Sequence, residues 1–143
     1  MRVKKVNRYY CEFCKKAGCS GGHMKHHEER CTMNPNRICG VCKMLEQEQP
    51  KLADIIKLLP DPQKFKKIDQ WETETWDGLS EAINGVMPNI REASGNCPVC
   101  ILAAFRQAKI HLSSVEDFDF KKEMSAIWSD INSINIEHAT YIL

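Results

Sequence analysis

Cys11, Cys14, His27 and Cys31 follow one another in the spacing Cys-x2-Cys-x12-His-x3-Cys. Thiolate sulfur and imidazole nitrogen are donors that zinc prefers, and gaps of this length let a two-stranded hairpin followed by a helix close four donors around one tetrahedral ion. Two further Cys-x2-Cys pairs come later, Cys39/Cys42 and Cys97/Cys100. Each such turn points two thiolates one way, so the two pairs make a second, four-cysteine site if they meet in the fold, although 54 residues separate them. These spacings use seven ligand-like cysteines of the eight and leave Cys19 over. Two Zn²⁺ per chain are expected.

A cysteine-rich short chain can be a secreted disulfide scaffold, but paired Cys-x2-Cys spacing and interleaved histidines favour metal. The N-terminal Met-Arg-Val-Lys-Lys-Val-Asn-Arg lacks the apolar core of a secretory signal, so a reducing, cytoplasmic compartment is expected. No run of about 18 apolar residues is present, and no membrane span is expected. Cys97-Pro-Val-Cys100 opening a helix is also a thiol–disulfide redox motif, but that motif expects a preceding strand, and Ala93-Ser-Gly-Asn96 does not read as one. Zinc with four protein ligands has no open position, so both sites read as structural and the chain as non-enzymatic. Glu28 and Glu29, beside His26 and His27, read as solvated charges rather than a general base.

These donors need elements to position them. Residues 9–31 read as a small ββα unit, and Thr32 to Arg37 as a linker in which Asn-Pro ends the ligand-bearing helix. Leu52, Ile55, Ile56 and Leu59 recur at helical spacing until Pro60. Trp71 to Trp76 shows partial strand-like alternation, and Leu79 to Val86 reads as a short helix ending before Pro88. Ile101, Ala104, Phe105, Ala108 and Leu112 make one apolar helix face; Phe120, Met124, Ile127, Trp128, Ile131 and Ile134 make another, both expected in the core. The fold class is therefore mainly α with a small ββα zinc finger, its helical body stapled by the four-cysteine site. Residues 1–37 hold a basic arm, the finger and the linker; residues 38–143 form the helical domain.

Residue by residue, Tyr9-x-Cys11-x2-Cys14-x9-Met24-x2-His27-x3-Cys31 resembles the two-cysteine, two-histidine zinc fingers. Met24 stands where that family has a core leucine, and Cys31 where it has its second histidine. Gly18 stands where the family has a core aromatic, so Phe13, Cys19 or the body is expected to fill the gap. His26 competes with His27 for the third ligand position; the Met24 register and the one-turn spacing to Cys31 favour His27. The resemblance makes Ser20, His23 and His26 the base-reading positions, and none supplies a bidentate base contact. One finger also reads only about three base pairs. The run His27-Glu-Glu-Arg-Cys31-Thr-Met-Asn-Pro is similar to small zinc-finger proteins of tailed bacteriophages, which implies a host cytoplasm.

Charge supplies the remaining expectation. Residues 1–51 carry 11 Lys/Arg against 5 Asp/Glu, and residues 52–143 carry 9 against 14. A basic finger can release counterions from a polyphosphate, whereas an acidic body cannot. Lys4, Lys5, Arg8, Lys15, Lys16, Lys25 and Arg30 are the candidate nucleic-acid contacts, phosphate-directed and not sequence-specific. The acidic body is expected to engage a protein partner. The competing reading is an assembly factor in which both zincs are purely structural and the finger itself binds protein.

Overall fold

The computed structural model describes the backbone of residues 1–141 and the side chains of residues 1–134. It is mainly helical, with six α-helices and two two-stranded antiparallel sheets among the described residues. The finger comes first: β1 (Tyr9–Tyr10) pairs with β2 (Ala17–Gly18), and α1 (Gly21–Arg30) follows. Ser20 caps α1, its Oγ accepting from the His23 N–H at 3.3 Å, which offsets the weak helix propensity of Gly21 and Gly22. Gly21 lies under the Tyr9 ring, which is 3.2 Å from where a Cβ would stand.

The short helix α2 (Gly40–Met44) leads into α3 (Leu52–Leu58), which stops before Pro60 as the sequence indicates. After a turn of 3-10 helix, β3 (Lys66–Ile68) pairs with β4 (Glu74–Trp76), so the ambiguous stretch around Trp71 is a hairpin. The two long helices of the body's centre are α4 (Leu79–Ser94) and α5 (Pro98–Gln107), and α6 (Phe120–Tyr141) crosses over α5. Asp119 caps α6 through an Oδ1 that accepts from the Lys122 N–H at 3.1 Å.

One core holds the body together. Ile55 of α3, Ile83, Met87 and Ile90 of α4, and Ile101, Ala104 and Phe105 of α5 are buried around the four cysteines, and Phe105 meets Phe118 with ring centroids 5.9 Å apart. The finger has a separate, much smaller core of Cys11, Met24 and Cys31, with Met33 packed on it. Met24 reaches over Gly18, its Cε 3.8 Å from where a Cβ would lie. Phe13 and Cys19, the expected fillers, are exposed.

Three expectations need correction. Pro88 does not end its helix: α4 runs through it to Ser94. Pro88 is on the exposed face of α4, where its ring and its missing N–H do not disturb the core. Leu112 is not on the α5 face, because α5 ends at Gln107 and Leu112 sits in a separate 3-10 turn. Trp128 and Ile134 are half exposed, at 47% and 54%. Only the first turns of α6 (Phe120, Met124, Ile127) pack against the core; the rest of the stripe runs past it.

The Pro88 site generates a stability prediction. An interior proline costs about 3 kcal/mol relative to alanine, and its stiffening of the unfolded chain returns about 1 kcal/mol. Pro88→Ala should therefore raise the thermal unfolding midpoint, by about 1–2 kcal/mol of added stability. A lowered midpoint in a calorimetric scan would show that α4 gains nothing from the restored hydrogen bond.

Candidate metal centres

Both donor sets assemble. Cys11, Cys14, His27 and Cys31 form one, and Cys39, Cys42, Cys97 and Cys100 the other, with the donor atoms of each set within 4.8 Å of one another. Zinc at about 2.3 Å from each sulfur in a tetrahedron places the sulfurs about 3.8 Å apart. Cys39 Sγ lies 3.5 Å from Cys97 Sγ, and Cys42 Sγ 3.6 Å from Cys100 Sγ. A disulfide would hold them near 2.05 Å, and all eight cysteines are unbridged. Donor chemistry and spacing thus fit two zinc ions, one held by three thiolates and an imidazole and one by four thiolates.

In the finger, the β-hairpin presents Cys11 and Cys14, whose sulfurs accept the Phe13 and Lys16 backbone N–H groups at 3.4 Å each. Helix α1 and its cap present His27 and Cys31. His27 turns its Nε2 to within 3.2 Å of Cys14 Sγ, while His26 is exposed with its Nδ1 3.9 Å from Glu29. The ligand is therefore His27. The Asn34 side chain satisfies the end of the helix, its Nδ2 donating to the Glu28 carbonyl at 2.8 Å. Burial pushes the Cys14 thiol up, but the Lys16 N–H, His27 and the neighbouring thiols outweigh it and bring it down to about 7. Cys31 is raised, by burial first and then by the sulfurs of Cys14 and Cys11.

The second set repeats one device twice. Cys39 is the N-cap of α2 with Cys42 three residues on, and Cys97 is the N-cap of α5 with Cys100 three residues on. Two helix starts thus converge on one point, where free N–H groups and the positive ends of the peptide dipoles favour thiolates. Pro98 at the first position of α5 sacrifices no hydrogen bond there. All four cysteines are buried. Without metal, hydrogen bonds from the Cys100 and Cys97 thiols, against burial and with help from the Cys42 N–H and the Arg37 charge, hold Cys39 far below the usual thiol range. Cys97 is pushed up to about 12: its bond with Cys100 lowers it, but donation to Cys39 and burial prevail. Donation to Cys39 and to Cys97 raises Cys100 as well. One thiolate surrounded by thiol donors is a set whose protons zinc would displace.

A surrounding shell, which spacing alone did not indicate, orients these ligands. Gln49 Oε1 accepts the Cys39 N–H at 2.6 Å, and its Nε2 donates to the Arg37 carbonyl at 2.7 Å. Gln47 Nε2 donates to Cys42 Sγ at 3.5 Å and packs over Gly95, whose φ of +60° favours glycine. Arg37 Nη1 lies 3.8 Å from Cys100 Sγ. The only sequence signal for these residues is their place within a few positions of Cys39 and Cys42. Cys97 is fully buried and preceded by the end of α4, neither of which suits an attacking redox thiol.

The basic candidates lie elsewhere. Lys4, Lys5, Arg8, Lys15, Lys16, Lys25 and Arg30 are all exposed on the arm and the finger. Of the three base-reading positions, His23 and His26 are exposed, whereas the Ser20 hydroxyl is occupied in capping α1.

Two zinc ions per chain should be found by metal analysis. Structural zinc contributes about 10–16 kcal/mol, as much as a domain's whole stability, so losing the buried site should unfold the body. Cys97→Ser should abolish the cooperative thermal unfolding transition of the helical body, followed by far-ultraviolet circular dichroism, whereas Cys14→Ser should remove one zinc and leave that transition in place. One zinc or none in the wild-type chain would sink the assignment of the second site. Comparison with protein-family models, curated proteins and solved structures finds no match.

Proposed function

We propose that the chain is a non-enzymatic, zinc-stapled binding module. Its finger and N-terminal arm (within residues 1–37) hold nucleic-acid phosphates without reading sequence, and its helical body (residues 38–143) engages a protein partner. The observation that carries this reading is the state of the seven basic side chains. All are exposed, and none is in an ion pair among the described residues. Such unspent cations are what counterion release from a polyphosphate requires. The outer face of α1, with Lys25, His26 and Arg30, is uncovered by the body. Closed four-donor sets support a structural role for both metals and no catalytic one.

The absence of sequence reading follows from the side chains present. With Ser20 engaged in its cap and histidines at the other two reading positions, no bidentate contact to a base edge is available. The second reading, an assembly factor whose finger binds protein, draws on the apolar surface that this chain leaves in solvent. Trp71 is 78% exposed at the tip of the β3–β4 hairpin, and Trp128 is half exposed on α6. That surface also supports a protein partner for the body within the first reading. No helix of the described residues is long and apolar enough to cross a membrane.

Fluorescence anisotropy with labelled single- and double-stranded oligonucleotides of unrelated sequence tests the proposal. Affinity should be similar across sequences and fall steeply with salt. Replacing Lys4, Lys5 and Arg8 together by glutamine should reduce the logarithmic salt slope on duplex DNA by about 2–3 while leaving the zinc content unchanged. No binding even at low salt would overturn the nucleic-acid reading and leave the assembly reading standing.

A further inference from the structure

Arg37 is one of the few charged or polar side chains buried in this protein, at 5% exposure. A guanidinium stays protonated at any accessible pH, so the fold holds a permanent cation inside. Such a charge is tolerated only when an opposite charge compensates it. Among the described residues no carboxylate lies within ion-pair distance of Arg37. Its Nε is buried without a hydrogen-bond partner, and the contact its side chain does make is Nη1 to Cys100 Sγ at 3.8 Å. Gln49 holds the Arg37 backbone in place, and Gln49 in turn holds Cys39.

The charge within reach of this guanidinium is that of the sulfurs. Four thiolates on Zn²⁺ carry a net charge of −2, shared by all four sulfurs and buried with them. A guanidinium against one sulfur is the counter-ion such a centre lacks. We propose that Arg37 is the built-in counter-cation of the four-cysteine zinc centre: donating to Cys100, it draws charge from that sulfur and makes the bound zinc resistant to electrophiles. The proposal rests on the reading of Cys39, Cys42, Cys97 and Cys100 as a zinc site. The reactivity it concerns is familiar: an electron-rich metal thiolate attacks an alkylating agent, the new C–S bond forms as the agent's leaving group departs or its double bond takes up a proton, and the thioether leaves zinc. A hydrogen bond to sulfur reduces the charge available for that attack.

The test uses the full-length, zinc-loaded chain and N-ethylmaleimide as electrophile, with modified cysteines mapped by peptide mass spectrometry and released zinc followed by an indicator dye. Metal analysis of the wild-type chain comes first, and fewer than two zinc ions would refute the zinc reading itself. With two bound, Arg37→Met, which keeps the length and removes the charge, should speed modification of Cys100 and loss of that zinc about tenfold or more. Arg37→Lys should retain most of the protection. Modification of Cys14 in the finger should not change in either variant. A wild-type rate at Cys100 in Arg37→Met would overturn the proposal, as would an Arg37→Lys variant as unprotected as Arg37→Met. If Arg37→Met does not fold, wild-type protein loaded with NMR-active cadmium decides. A scalar coupling between the metal and the Arg37 guanidinium protons supports the contact through Cys100, and its absence overturns it.

Discussion

The body of this protein depends on the meeting of two Cys-x2-Cys turns that lie far apart in the chain. Joining Cys42 to Cys97 closes a loop of 54 residues. By chain-entropy arithmetic a single cross-link of that span is worth about 4 kcal/mol. Helices α3 and α4 and the β3–β4 hairpin all lie inside the loop. The cross-link also determines where they can go, since the start of α5 must sit against the start of α2. From that anchor α5 runs through the core with Ile101, Leu102, Ala103, Ala104 and Phe105 all buried, and α3 and α4 pack on its flanks. Metal and apolar core therefore stabilise the same contact, since the four cysteines belong to the core cluster itself.

Much of this was legible in the residues because ligand spacing and helical periodicity are local signals. Cys-x2-Cys at the head of a helix, the one-turn gap from His27 to Cys31, and the α3 stripe closed by Pro60 each follow from a few neighbouring positions. What escaped depends on tertiary surroundings. Pro88 reads as a stop, but it sits on an exposed face and the helix continues through it. Trp128 and Ile134 have the right period for a core face, but period does not say how far the neighbouring helices extend. The missing aromatic at Gly18 left open what would complete the finger core; Met24 reaches over Gly18, and Met33, from a linker with no visible packing role, packs on the same core. Arg37 looked like one more cation of a basic segment, because only the fold shows that it turns inward.

That inward turn separates two uses of positive charge in the same basic half of the chain. Exposed lysines and arginines interact through water and are screened over about 10 Å at moderate salt, so they suit a partner that brings many phosphates. A buried guanidinium is screened far less and acts on a single neighbour. Arg37 thus belongs energetically to the body although it falls in the basic stretch before Cys39. The finger's surface charge is what remains once it is set apart.

The linker is the place where finger and body are tied together. Gln107 Nε2 at the end of α5 donates to the Thr32 and Asn34 carbonyls at 2.8 and 3.1 Å, and Arg106 donates to the Thr32 hydroxyl at 2.9 Å. Asn34 in turn caps the finger helix, and the Ile38 N–H donates to the Glu29 carbonyl at 2.8 Å. The two ends of α5 therefore have complementary tasks: its start holds two cysteines of the buried centre, and its end holds the linker through two backbone carbonyls and the Thr32 hydroxyl. A flexible finger would lose orientational freedom on binding, a cost that falls when the segment is already fixed. By clamping the linker and leaving the outer face of α1 open, the fold meets that requirement without covering the basic side chains a polyanion would contact.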